Sequence, residues 1–238
     1  MTGARPYALV DNLNFGNPEV PGVMWQFIEA VEGMAWACGE LDVPVVGGNV
    51  SFYNQTDGVD IYPAPVVGML GFCDPMPEQP PRLDRARAGM SVWLVGPEEV
   101  GDFAASAYDR IINGAVRGRP ADVDGDTARH MVSAAANLAF DVPVLHYVST
   151  GGVAVAIAEI AIKSGVGITV DAMSGPDLFD ETPLRFIAVA EGDALDTPEP
   201  HRRIGTVGGS SLDFGTSGSI ELGEAATIWR NALPRRMT

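Results

Sequence analysis

The sequence predicts an α/β fold, because short apolar runs alternate with longer segments of helical periodicity. Two of these runs, Tyr7–Val10 and Val43–Val46, each lead directly into a polar segment that contains glycine. The residues between them have the pattern of a helix, so the chain opens with a β-α-β unit. Polar residues beside glycine at strand ends are where α/β folds usually place ligand sites. The two polar segments are therefore the first candidates for function.

Composition limits the classes of protein to be considered. The chain has 238 residues, of which 46% are hydrophobic and 19% charged, as in an ordinary globular protein with one large domain or two small ones. Fifteen basic residues face 31 acidic ones, which gives a net charge of −16. This charge argues against nucleic acid or an anionic membrane as partner. An acidic protein that handles phosphates needs a divalent cation or local arginines.

Three local features also exclude possibilities. Lys163, the only lysine, is followed by serine like the end of a P-loop, but Ala158 stands where that loop needs glycine. Cys38 and Cys73 lie in apolar contexts without metal-ligand spacing, which predicts reduced core thiols. The longest apolar stretch, from 153 to 162, is interrupted by Glu159 and is too short to cross a bilayer. We therefore expect a soluble, cytoplasmic protein.

The elements of the first part follow from periodicity. Pro21 begins a helix that ends between residues 39 and 42, and a third strand is predicted at Pro65–Phe72, after a turn at 54–58. The predicted core face of the helix consists of Met24, Ile28, Val31, Ala35 and Cys38. Met34 and Trp36 are also expected in the core. Three strands and one helix are few for an independent core.

A proline-rich segment separates this part from the rest. Residues 74–81 include four prolines and cannot continue a strand or a helix. We expect an N-terminal domain over residues 1–75, a linker over 76–88 and a C-terminal domain over 89–238. The second domain is predicted as α/β or α+β, with the following elements: strands at Ser91–Val95, Val144–Val148, Gly167–Asp171, Arg185–Ala190, Ile204–Val207 and Ser219–Leu222, and helices at Asp102–Asn113, Asp126–Phe140, Gly152–Lys163 and from Glu224.

The sequence resembles a known family in several motifs. The two most specific are Asp-Asn-Leu-Asn-Phe-Gly-Asn-Pro at 11–18 and Gly-Gly-Asn-Val-Ser-Phe-Tyr-Asn at 47–54. Further matches lie at 61–68, 93–97, 151–159 and 178–181, so the resemblance spans nearly the whole chain. The family is the synthetase subunit of phosphoribosylformylglycinamidine synthase, within the aminoimidazole-ribonucleotide-synthetase-like superfamily.

This resemblance implies both architecture and chemistry. Such proteins pair two modules, each with a barrel-forming N-terminal domain and an α/β C-terminal domain, and this chain is similar to the last part of the second module. The implied partners are an N-terminal synthetase module, or a second copy through the barrel domain, and a glutaminase that supplies ammonia. The implied reaction uses ATP and Mg²⁺ to convert formylglycinamide ribonucleotide to its amidine through an iminophosphate.

The resemblance assigns four site residues. Asp11 and Gly48 would contact nucleotide, Asn49 would bind magnesium and Ser51 would contact substrate; a catalytic residue is not identified. An amide oxygen suits Mg²⁺, and glycines at 47 and 48 would let backbone amides approach phosphate and would tolerate positive φ. Asn and Asp beside glycine are also common in turns. The joint match of both segments favours a ligand site.

The second domain departs from the family pattern. The family motif His-Asp-Val-Ser-Asp-Gly-Gly is replaced at 146–152 by a sequence with Tyr147 and Thr150 at the acidic positions. Thr150 is predicted to cap the following helix. The N-terminus of that helix is predicted to favour an anion. His146, without an acidic neighbour in sequence, fits a core role as well as a functional one. A glycine-glycine-serine stretch is also altered, at 101–106.

The arginines divide into two groups. Arg185, close to the 178–181 motif, is the best candidate for an internal ion pair. The others are predicted to be solvated: Arg82, Arg85, Arg87, Arg202, Arg203, Arg235 and Arg236.

Three functional hypotheses remain, in descending order. The first is an enzyme component that acts with a chain supplying the missing module. The second is a catalytically decayed paralogue that binds nucleotide or acts as a scaffold. The third is another ATP-using member of the superfamily, such as selenophosphate synthetase or thiamine-phosphate kinase.

Overall fold

A computed structural model describes residues 1–98, 103–173 and 175–237. The chain divides into two compact units. One comprises Ala4–Asp74, and the other comprises Met1–Gly3 with Pro75–Thr238. Each is described by itself below.

The first unit is an open, mixed sheet with one long helix. Its elements are β1 (Arg5–Asn14), α1 (Pro21–Leu41), β2 (Val45–Ser51), β3 (Gln55–Thr56), β4 (Val59–Asp60) and β5 (Ala64–Phe72). The sheet has the order β2-β1-β5; β1 is parallel to β2 and antiparallel to β5, whereas β3 and β4 form a separate small hairpin. The predicted β-α-β unit is therefore present, with α1 as the crossover.

The packed face of α1 differs from the predicted stripe. Val23 of α1 is buried against Leu13 in β1 and Phe15 just after it. Phe27 and Met34 of α1 pack against this cluster. The Phe15 and Phe27 rings meet edge to face at 5.4 Å. The prediction of a core face through Ile28 and Val31 is wrong, because these side chains are 44% and 37% exposed.

That error has a simple physical cause. The helix carries apolar residues around much of its circumference, and two neighbouring stripes satisfy the same helical period. Met34 does pack against the cluster, but Trp36 is 43% exposed and is not a core residue. Cys38 and Cys73 are half-buried rather than core thiols.

The sheet of this unit leaves many apolar side chains exposed. β5 is exposed along most of its length, and Tyr7 and Val10 of β1 are also exposed. The exposed residues of β2 and β5 include Val45, Val46, Val50, Val66, Val67, Met69, Leu70 and Phe72. Exposed apolar surface of this extent marks an interaction surface.

The second unit is built on a seven-stranded sheet. Its strands are β6 (Ser91–Val95), β7 (Val144–Tyr147), β8 (Ile168–Val170), β9 (Phe186–Ala190), β10 (His201–Val207), β11 (Ser211–Asp213) and β12 (Ser219–Glu221). Its helices are α2 (Ala107–Ile112), α3 (Gly125–Leu138), α4 (Gly152–Ser164), α5 (Leu222–Asn231) and α6 (Pro234–Met237). The strand order is β12-β11-β8-β10-β6-β9-β7.

Both faces of this sheet are covered. All five residues of β6 are buried. Val92 and Leu94 belong to the cluster that contains Ile157 of α4, while Trp93 belongs to the cluster that contains Met131 of α3. Alternate residues of one strand point to opposite faces. The strand therefore runs between two helix-covered cores.

The predicted elements of this unit are found with adjusted ends. The helix predicted from Asp102 begins at Ala107, after the capping residue Ser106; Asp102 lies outside the described residues. The helix predicted over 126–140 begins one residue earlier, and Asp124 caps it through the Thr127 amide. The short strand β11 was not predicted. Within the described part of the chain, no helix is both long and apolar enough to cross a membrane.

Candidate functional site

The two motifs that begin near residues 11 and 47 lie side by side in the first unit. In the parallel pair β1–β2, Asp11 is opposite Gly48, and the next residues, Asn12 and Asn49, are also opposite each other. Ser51 follows at the end of β2, opposite Asn14. Strand pairing thus brings the four predicted site residues into one short stretch of sheet.

Asp11 explains why residue 48 is glycine. A Cβ atom on Gly48 would lie 2.5 Å from Oδ1 of Asp11, so any larger residue would displace the carboxylate. Gly47 and Gly48 lie within extended β2 and neither has positive φ, so the tolerance of glycine for positive φ is not used at these positions. Gly48 instead makes room for a half-buried carboxylate beside it.

Asn49 bonds to a residue that sequence reasoning did not select. Its Nδ2 donates to Oδ1 of Asn12 over 3.1 Å. Successive residues of a strand point to opposite faces, so Asn12 and Asn49 lie on the face opposite Asp11. The predicted site residues Asp11 and Asn49 therefore lie on opposite faces of the sheet, and Asn12 shares the face of Asn49. The signal in the sequence that could have identified Asn12 was the alternation of side-chain direction along residues 11–14.

Ser51 is held by Asn54. The Nδ2 atom of Asn54 donates to the Ser51 carbonyl at 3.0 Å, to its Oγ at 3.1 Å and to the Phe15 carbonyl at 2.9 Å. These bonds tie the end of β2 to the chain that leaves β1. The serine hydroxyl is thus fixed in position near the end of both strands.

A second carboxylate packs on a glycine in the same region. Oδ1 of Asp60 accepts from the Asn17 amide at 2.9 Å and from Nε2 of Gln55 at 2.7 Å. A Cβ on Gly16 would lie 2.5 Å from the Asp60 carboxylate. The small β3–β4 hairpin is therefore hydrogen-bonded to the loop after β1.

His146 in the second unit has an acidic partner after all. Its Nε2 lies 2.6 Å from Oε2 of Glu159 in α4, and the two side chains are 25% and 32% exposed. The partner is on the following helix, thirteen residues away, and could not be seen as a neighbour in sequence. His146 is therefore neither buried in the core nor without a carboxylate.

The start of α4 is capped differently from the prediction. The N-cap residue is Gly151, with φ of 89°, and no side chain caps it in the usual way, so the prediction for Thr150 is wrong. Instead, Oε1 of Glu181 accepts from the Gly151 amide at 2.7 Å and from the Ala107 amide at 2.9 Å. A carboxylate of the chain itself thus occupies the position where an anion was expected.

Arg185 forms the predicted internal ion pair. Its Nη1 lies 2.5 Å from Oδ2 of Asp180, and its Nε donates to the Pro97 carbonyl at 2.6 Å. Both charged side chains are only 2% exposed. Burial lowers the pKa of Arg185, and the Asp180 carboxylate opposes that change. Arg82, in contrast, is 64% exposed, as expected for a solvated arginine.

Metal ligands are sparse. Among the described residues, no group of three or more His, Cys, Asp or Glu side chains could hold a metal ion. The altered stretch at 101–106 is only partly visible, because Gly101 and Asp102 lie outside the described residues.

Comparison with family models matches both parts of the chain. Residues 1–73 match the N-terminal domain of AIR synthase related proteins, and residues 87–196 match the C-terminal domain of the same proteins. The chain belongs to the AIR synthase related family. Its mixed α/β architecture agrees with that family, although the first unit is an open sheet.

Curated relatives carry one name. The chain is 41% identical over 253 residues to phosphoribosylformylglycinamidine synthase subunit PurL of Thermobifida fusca, covering 98% of this chain and 32% of the relative. It is 39% identical over 232 residues to the protein of the same name from Methanothermobacter thermautotrophicus, covering 90% of this chain and 32% of that relative. The chain therefore spans about a third of the length of these relatives.

Solved structures show the same fold. Thermotoga maritima PurL complexed with ATP has a TM-score of 0.62 and 16% identity, over 94% of this chain and 38% of that one. The hydrogenase maturation protein HypE of E. coli has a TM-score of 0.64 and 18% identity, over 92% and 74% of the two chains. Proteins with different names thus share this architecture.

Proposed function

We propose that this chain is the C-terminal component of a phosphoribosylformylglycinamidine synthase of purine biosynthesis, acting in the cytoplasm. The observation that carries the proposal is the pairing of β1 with β2, which sets Asp11 against Gly48 and Asn12 against Asn49. The identity with PurL relatives along nearly the whole chain supports it. As the chain spans a third of those relatives, activity would need a complementing module.

The reaction joins nitrogen to carbon at the expense of ATP. The formamide oxygen of formylglycinamide ribonucleotide takes the γ-phosphoryl group of ATP, giving an iminophosphate and ADP. Ammonia then attacks the imidate carbon, and the carbon–oxygen bond breaks to release phosphate and the amidine. Such phosphoryl transfer depends mainly on positioning and electrostatics. The contribution of this chain would be to orient nucleotide and substrate.

The residues have separate roles in this proposal. Asp11 and Gly48 contact the nucleotide, and Ser51, held by Asn54, contacts the substrate. Asn49 provides one oxygen to Mg²⁺. The asparagine fits this role, because its hydrogen bond to Asn12 uses the amide nitrogen and does not consume the carbonyl oxygen. Mg²⁺ is usually held by few protein ligands plus phosphates and water, and it would neutralise phosphate charge.

The exposed sheet of the first unit suits the proposed partner. β2 and β5 are the edge strands of an open three-stranded sheet, and both carry exposed apolar residues. Open edges and apolar faces are sites for pairing with another chain. We propose that the N-terminal synthetase module, or a second copy of this chain, covers this surface. A glutaminase subunit would supply the ammonia.

Complementation tests the proposal. The chain would be expressed with an N-terminal synthetase module in a purine auxotroph that lacks the synthetase, beside the same pair carrying Asn49→Ala. Growth without purine with the unchanged chain, and failure with the variant, is expected. Equal growth of both strains would show that Asn49 has no role in the site. No growth in any pairing would contradict the proposal.

A second function is favoured by two observations. Glu181 already occupies the N-terminus of α4, and Tyr147 and Thr150 replace acidic residues of the family motif. Both are expected of a decayed paralogue that keeps the fold and binds nucleotide without turnover. Calorimetry separates the two: affinity for ATP without turnover in any combination of modules supports the paralogue, and turnover excludes it.

A further inference from the structure

The outer side of α1 carries two exposed tryptophans and two exposed glutamates. Trp25 and Trp36 are 61% and 43% exposed, and Glu29 and Glu32, which lie between them in the sequence, are also exposed. At about 100° per residue, the four side chains fall within about 60° of one another around the helix, opposite the buried Val23. The two indoles are three turns apart, about 16 Å along the helix axis. These four residues are called the α1 face below.

The α1 face lies in a part of the chain that is almost without positive charge. The first unit, Ala4–Asp74, contains nine acidic residues and a single basic one, Arg5. The helix itself has no basic residue among its 21 residues. A guanidinium group can stack on an indole ring and can also pair with a carboxylate. The α1 face therefore fits an arginine-rich segment that also carries apolar side chains.

The C-terminal end of the chain has this composition. Residues 225–238 contain three arginines and no acidic residue. The arginines are Arg230, Arg235 and Arg236, and all three are exposed. Between them, Leu233 is 73% exposed. This end of the chain is therefore a basic and apolar surface on an otherwise strongly acidic protein.

Arginines elsewhere in the second unit are paired with carboxylates close to them in sequence. Arg82 pairs with Asp84, and Arg117 pairs with Asp109. Within the ranges that the structure describes, no such pair is formed by the three arginines of the C-terminal end. Their charges are thus available to an acidic surface of another molecule.

We propose that the α1 face binds the C-terminal segment, residues 230–237, of a second copy of this chain. Opposite charge and exposed apolar side chains on both surfaces support the pairing. An anionic membrane is a poorer partner for the segment, because the whole chain has a net charge of −16. The two surfaces differ, so the contact is heterologous and each copy offers one of each. The inference does not rest on the proposed reaction.

Sedimentation velocity of the full chain tests this contact. The mass of the unchanged chain should rise with protein concentration and return to that of a monomer in about 1 M salt, where the screening length is about 3 Å. Glu29→Arg with Glu32→Arg, and separately Arg235→Glu with Arg236→Glu, should each weaken self-association by about tenfold or more, because like charges then face each other. An equimolar mixture of the two double variants should associate again, since their altered surfaces are complementary.

A matched control separates the contact from a general effect of charge. Asp74→Arg with Glu78→Arg makes the same change of net charge as the α1 variant, at two exposed positions outside α1. This control should associate like the unchanged chain. Because every substituted position is exposed, all of the variants should keep the circular dichroism of the unchanged chain.

Several outcomes would overturn the inference. An unchanged chain that stays monomeric at every concentration has no such contact. Self-association that survives both double variants and high salt would place the contact on the exposed sheet of β2 and β5. Failure of the mixture to associate would show that the two surfaces do not meet. If the α1 variant keeps its self-association but loses binding to an N-terminal synthetase module, that module is the occupant of the α1 face instead.

Discussion

Asp180 and Arg185 form a buried ion pair in which both side chains are 2% exposed and the charged atoms are 2.5 Å apart. The guanidinium also donates to the Pro97 carbonyl, and the carboxylate accepts from Thr182. The pair therefore ties the segment after the 178–181 motif to the chain that follows β6. Charges buried to this extent stabilise a fold only as long as both partners remain.

Removal of one partner should be strongly destabilising. Arg185→Met leaves the Asp180 carboxylate buried without its counter-charge, and we expect a loss of about 3–5 kcal/mol in the free energy of unfolding. Urea denaturation measures it. The double variant Asp180→Leu with Arg185→Met should recover part of the loss, since it removes both charges. A double variant less stable than Arg185→Met alone would contradict this account.

Glu181 should stabilise the second unit through two backbone amides. Glu181→Ala leaves the amides of Ala107 and Gly151 without their acceptor, and we expect a loss of about 1–3 kcal/mol, seen as a lower thermal midpoint. Glu181→Gln keeps one acceptor oxygen and is the control, with a smaller loss expected. Equal midpoints for the alanine variant and the unchanged chain would show that these bonds contribute nothing.

Gly48 and Gly47 should differ sharply in their tolerance of alanine. A Cβ at Gly48 would press on the Asp11 carboxylate, whereas a Cβ at Gly47 meets no atom within 4 Å. We expect Gly48→Ala to cost about 1–3 kcal/mol and Gly47→Ala to cost much less, as judged by urea denaturation. Adding Asp11→Ala to Gly48→Ala should relieve the clash, so an additive double variant would argue against direct contact.

Asp109 should make stability depend on acid pH. Hydrogen bonds from Arg117 and then Asn113 hold the pKa of this carboxyl below its ordinary value. A folded-state pKa below that of the unfolded chain stabilises the fold at pH values above the unfolded pKa, about 3.9. The contribution is lost as pH falls through the depressed folded value.

The measurement compares the unchanged chain with Asp109→Asn across pH. At pH 7 the variant should unfold at a lower urea concentration, and the difference should shrink below about pH 4, as the carboxyl of the unchanged chain becomes protonated. A difference that stays constant down to pH 2 would mean that the charge of Asp109 does not matter.

The local sequence pattern predicted the helices and strands better than it predicted which residues they contact. The β-α-β unit, β6 and α4 follow from apolar runs, and Arg185 was recognised as an internal cation. The core stripe of α1 was displaced by one residue, because its buried side is the one that packs against Leu13, Phe15 and Phe52. Tertiary packing determines which face of α1 is buried, and the helical periodicity of the apolar residues carries little information about it.

The same limit applies to the candidate site. Asp11, Gly48, Asn49 and Ser51 came from a resemblance, and strand register then showed which of them are neighbours. Glu181 caps α4 from thirty residues away, and Glu159 reaches His146 from the next helix. Contacts of this kind depend on how elements assemble, so reasoning from adjacent residues assigned the cap to Thr150 and left His146 without a carboxylate.

The position of β6 has a consequence for how the protein is made. This fully buried strand pairs with β9 on one side and β10 on the other, and both are formed by residues far downstream. During synthesis, this strand leaves the ribosome before β9 and β10 and has neither partner until residues 186–207 follow. Long-range pairing of this kind slows folding and prolongs exposure of the unpaired strand. A nascent chain that stops before β9 would therefore be a natural substrate for chaperones.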